Sequence, residues 1–99
     1  MPKHTVKIVE RKRNHVVPIV ATIGDSVELD SGGQGRTYYF PDTTLFVNGQ
    51  DTVVVGAKDK PVTKDIASTA HGVFRYYIWD HAKKDFLEGN SSPIIVVQP

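Results

Sequence analysis

The chain has 99 residues, 39% of them apolar and 23% charged, with a formal net charge of +1. That is the size of one domain over residues 1–99, too apolar for a disordered chain and too near neutral for a nucleic-acid surface spanning the whole domain. Cysteine is absent, which excludes disulfides, thiolate metal sites, cysteine nucleophiles and iron–sulfur clusters together.

In chain order, HTVKIVE (4–10) sets Val6 and Ile8 against Thr5, Lys7 and Val9, the period of two that marks a half-buried strand. RKRNH follows as a polar turn. Lys3, Lys7, Arg11, Lys12 and Arg13 against the single acid Glu10 make this a basic hairpin with solvated charges, a weak basis for nucleic-acid binding. VVPIVATI (16–23) is β-branched, and Pro18 puts it at a sheet edge or a bulge because proline cannot donate to a ladder. Gly24-Asp25 turns the chain into SVELD, where Val27 and Leu29 alternate with Ser26 and Glu28. SGGQGR (31–36) predicts a turn in which glycine supplies positive φ; it lacks the lysine and the following helix of a phosphate loop. TYYF reads as a strand, and Asn48-Gly49 inside TLFVNGQDTVVV predicts a hairpin between two strands. Val62, Lys64 and Ile66 alternate again. In HGVFRYYIWDH (71–81) Phe74, Tyr76 and Ile78 take one face, directed to the core, and Val73, Arg75, Tyr77 and Trp79 the other. HAKKDFLEGN is the one helix candidate: Ala82, Phe86 and Leu87 give about two turns, with Asp80 as cap and Gly89 as stop. SSPIIVVQP closes the chain as a strand.

Seven or eight short strands between regular turn signals predict an all-β, Greek-key β-sandwich. No run supplies the roughly 7–15 residue apolar core of a secretory signal, or the ~20 apolar residues of a membrane helix. The expectation is a cytoplasmic protein with no membrane partner.

The order of parts, Gly24-Asp25-Ser26-Val27, then TYYFPD, then Gly72-Val73-Phe74-Arg75-Tyr76, then a loop and SSPIIVVQP, resembles the cupredoxin-like family. There the strand before the C-terminal loop commonly reads Gly-x-Tyr/Phe-x-Tyr-x-Cys. Gly72, Phe74 and Tyr76 match, and Ile78 stands where the resemblance puts the copper cysteine. His81 falls near the family's C-terminal histidine ligand, but TYYFPDTTLF offers no upstream histidine and the only methionine is Met1. A type 1 copper site needs the thiolate, so the resemblance implies a scaffold without that centre or its electron transfer.

No cofactor and no metal site are therefore expected, and no catalytic set, because no nucleophile elbow or paired acids stand out. His71 and His81 lie about 33 Å apart along a regular strand, too far to share an ion. The alternative is a thiolate-free metal site of His81 with Asp80, Asp85 and Glu88. The stronger expectation is a binding or assembly module with a protein partner or a homo-oligomeric state. Arg75, Tyr77 and Trp79 form its candidate protein-interaction face, since Trp, Tyr and Arg dominate interface hot spots.

Overall fold

The computed structural model describes residues 3–6, 8–9, 15–86 and 93–98. These residues form twelve short strands: β1 (Lys3–Thr5), β2 (Ile8–Val9), β3 (His15–Val16), β4 (Ile19–Thr22), β5 (Ser26–Leu29), β6 (Arg36–Tyr39), β7 (Thr52–Val55), β8 (Val62–Asp65), β9 (Gly72–Arg75), β10 (Tyr77–Asp80), β11 (Asp85–Phe86) and β12 (Ile94–Gln98). The count exceeds eight because long runs are broken. Residues 15–22 split at Val17-Pro18, where proline ends the ladder, and β4 then lies at a sheet edge, as a strand entered through proline should.

One layer is the sheet β1-β5-β8, in which β1 and β5 are parallel and β8 is antiparallel. The other is built on residues 72–80. Its first half, β9, pairs with β12, which pairs in parallel with β4; its second half, β10, pairs with β6 and β11, and β6 with β7. The alternation never slips across this run: Phe74, Tyr76, Ile78 and Asp80 are all buried, while the residues between them are half-buried or exposed. With Val27, Leu29, Tyr38, Phe40, Val53, Val55, Ile66, Ile95 and Val97 they fill the space between the layers. Phe40 meets Phe46 edge-on at 4.8 Å and stacks on Tyr76 at 5.4 Å, geometries that add to simple area burial.

Two expectations fail. Residues 81–84 form a turn, not a helix, and β11 follows. Asp80 does cap it: Oδ1 accepts the N–H groups of Ala82 and Lys83 at 2.9 and 3.0 Å. Lys84 takes φ 51°, which breaks a helix and opens a hairpin instead. Nor do two paired strands flank Asn48-Gly49. Gly49 has φ 64° and makes a turn onto the Phe46 carbonyl, but β7 pairs with β6, and Phe46 makes only an isolated bridge to Ile66. Leu45 and Phe46 are both buried, and consecutive inward side chains are incompatible with a strand, whose side chains alternate.

Candidate functional site

Ile78, at the thiolate position, is fully buried opposite Tyr38 of β6. A polar network lies at this end of the sandwich. The Arg36 guanidinium donates to Asp30 Oδ1 at 2.7 Å and to the Tyr38 hydroxyl at 3.3 Å, and the Tyr38 hydroxyl donates to the Asp30 carbonyl at 2.7 Å. Burial pushes the Tyr38 phenol up to about 12, with the neighbouring Arg36 opposing the rise. Burial raises Tyr76 further; its hydroxyl and Arg36 Nε are buried with no protein partner among the described residues. The 31–35 loop closes over the network. Gly32 has φ +61°, and a Cβ there would strike the Arg36 guanidinium.

His81 is half-buried and held on two sides. Nε2 lies 2.8 Å from Thr37 Oγ1, and its backbone N–H donates to the Gly35 carbonyl at 3.1 Å. Its Nδ1 faces Gly35 so closely that a Cβ on that residue would approach to 2.5 Å. His81 is thus a latch between the 31–35 loop and the 81–84 turn, not the free surface residue its charged surroundings suggest. Asp80 directs Oδ1 to the turn and Asp85 Oδ1 accepts its neighbour's N–H at 2.8 Å. Glu88 lies outside the described residues. No group of three or more His, Cys, Asp or Glu side chains among the described residues is arranged to hold a metal ion.

The strand face away from the core carries the residues singled out as an interaction face. Arg75 is exposed and Tyr77 and Trp79 half-buried. The fold adds neighbours that the sequence order separates. Tyr39 pairs with Tyr77 and stacks on it at 6.2 Å; Phe86 pairs with Trp79 and meets it edge-on at 4.9 Å, and Tyr77 at 6.3 Å. Val54 of β7 extends the patch one way, and the cross-strand row Val20, Val96 and Val73 the other. The doublet in TYYF was the available signal: Tyr38 points in, so Tyr39 must point out.

A third polar site escaped sequence reading. Asp25, buried in the turn before β5, accepts His4 Nε2–H at 2.9 Å and the Thr22 N–H at 3.0 Å. The His4 hydrogen bond is the main reason its carboxyl sits below the ordinary carboxylate value. It ties β1 to the turn that starts its parallel partner.

No known family profile and no curated protein matches the chain. Solved structures do. A pseudoazurin from Sinorhizobium meliltoi superposes at TM-score 0.56 with 17% identity, over 100% of this chain and 76% of its own. A Cu(I) amicyanin variant gives 0.55 at 11% identity over 98% and 81%. The fold is cupredoxin-like. The same fold matches part of a larger enzyme, Fet3p, a multicopper oxidase that functions in iron import: TM-score 0.54, 10% identity, 98% of this chain but only 22% of the oxidase. Against a cupredoxin's blue copper centre, this cupredoxin-like chain does not supply the donors. The sequence has no cysteine, a buried isoleucine fills the thiolate position, and the nearby imidazole is committed to Thr37.

Proposed function

We propose that the protein is a cupredoxin-like binding or assembly module that works through the outer aromatic face of the β4-β12-β9/β10-β6-β7 layer and carries no thiolate-copper electron transfer. The observation that supports this most directly is the continuity of that face. Arg75, Tyr77 and Trp79 join Tyr39, Phe86 and Val54 into one surface of the residue types that anchor protein interfaces. Ring geometry favours a protein over a flat ligand. Trp79–Phe86 and Tyr77–Phe86 are tilted by 80° and 71°, with only Tyr39–Tyr77 nearer parallel at 28°, so the Phe86 side of the surface is corrugated and suited to interdigitating side chains.

Trp79 is the only tryptophan, so intrinsic fluorescence reports this face alone. At high dilution acrylamide is expected to quench it readily, with protection appearing when a partner binds. Strong protection in dilute protein would mean the face is covered within the chain itself and would overturn the reading.

A further inference from the structure

We infer that the partner seated on the aromatic face is a second copy of this chain, forming a symmetric dimer of layers packed face to face. The inference rests on the binding reading above and adds the identity of the occupant.

Size is the first ground. Val20, Val54, Val73, Tyr39 and Phe86 are each between 43% and 64% exposed, and Tyr77, Trp79, Ile94 and Val96 are half-buried beside them. At about 150–250 Å² for a large side chain, the apolar part of this patch is on the order of 500 Å². An interface of ordinary size buries about 800 Å² per partner, of which roughly 57–65% is apolar, or ~450–520 Å². One such face therefore supplies one side of a standard interface, and a second copy supplies the other.

Charge is the second ground. The outward positions of β4, β12, β9, β10, β6 and β7 are Val20, Thr22, Ile94, Val96, Gln98, Val73, Arg75, Tyr77, Trp79, Thr37, Tyr39, Thr52 and Val54. Arg75 is their single charge and no carboxylate is among them; β11, which brings Phe86 to the face, adds one exposed carboxylate, Asp85, at the edge. A face this close to neutral has no strongly charged partner to complement and meets its own copy at little electrostatic cost. In a symmetric dimer the facing copy also brings its Tyr39, Tyr77 and Trp79 rings toward Arg75 as cation–π partners. Packing of sheet on sheet with interdigitated side chains is the arrangement that already builds the core.

Sedimentation velocity from about 10 nM, with fluorescence detection, to about 500 µM tests the inference, reaching below the micromolar affinities at which interfaces of this size begin. A monomer–dimer equilibrium is expected, with Trp79 becoming shielded from acrylamide as the dimer forms. Tyr39→Glu and Val73→Glu, each at an exposed position, should weaken it at least tenfold while leaving the thermal midpoint of the dilute monomer unmoved, whereas Thr63→Glu on the opposite layer should leave it intact. A dimer that survives both face substitutions, or a monomer at every concentration, overturns the second copy. In the monomer case, open Trp79 leaves the binding reading standing for another partner, and shielded Trp79 overturns that reading as well.

Discussion

The two layers present opposite characters to solvent. The outer side of β1-β5-β8 carries Lys3, Thr5, Ser26, Glu28, Thr63 and Asp65, with Lys3 and Glu28 in a 3.4 Å ion pair. The outer side of the other layer carries valines and aromatic rings around one arginine. Both layers share the same core, so burial within the chain does not account for the difference. A β-sandwich needs one apolar face per sheet; the second apolar face is surplus to folding and is the surface that the proposed association would use.

The sharpest way to break this comparison is along residues 72–80, where inner and outer sides alternate. Ile78→Ala removes a fully buried side chain and is expected to cost about 2–5 kcal/mol in denaturant unfolding. Val73→Ala, 64% exposed, should stay within about 0.5 kcal/mol; a large loss there would show that the outer face does belong to the fold. Next in size is Gly35→Ala. Its φ of +94° and the His81 ring at 2.5 Å from the added Cβ predict a loss of about 1–3 kcal/mol. Adding His81→Ala should recover only the steric part.

Smaller effects come from titration. Tyr38, raised by burial to about 12, keeps its proton in the folded state above the pH near 10 at which an unfolded tyrosine loses it. The stability this confers is present below pH 10 and is lost as pH rises from 10 toward 12. Absorbance of phenolate should therefore show Tyr38 titrating together with unfolding. Asp25 has the opposite sign: its folded carboxyl lies below the ordinary 3.8, so its contribution is present above about pH 4 and disappears as pH falls through the folded value. Asp25→Asn should flatten that acid limb of the midpoint-against-pH curve. Smallest of all, Glu28→Gln breaks the surface pair on the polar layer and should change stability by about 0–1 kcal/mol, less at high salt.

The alternation in SVELD, the edge position of the β-branched run that contains Pro18, the glycine turn at 31–36 and the inward set Phe74, Tyr76 and Ile78 were all legible from sequence. Each depends on strand periodicity or on the φ preference of one residue. HAKKDFLEGN misled because Ala82, Phe86 and Leu87 carry helical spacing. What decided against a helix was Lys84 entering the left-handed region while Phe86 paired with Trp79. Asn48-Gly49 misled because a turn dipeptide predicts a turn and says nothing of which strand pairs next. Of the candidate face, sequence gave Arg75, Tyr77 and Trp79, which lie on one strand. It missed Tyr39, Phe86 and Val54, which reach the same surface from other strands.

By itself the sequence determined that the protein is all-β, that its inward side chains alternate along its strands, and that a thiolate-copper centre has no thiolate. Those properties belong to residue types and local spacing. Only the tertiary structure decided that His81 would be used on Thr37 and Gly35, that Asp25 would hold His4, and that rings from β6, β10 and β11 would share one outer face. Such contacts depend on strand order and register, set by how both layers close on a common core and not by any short stretch of chain.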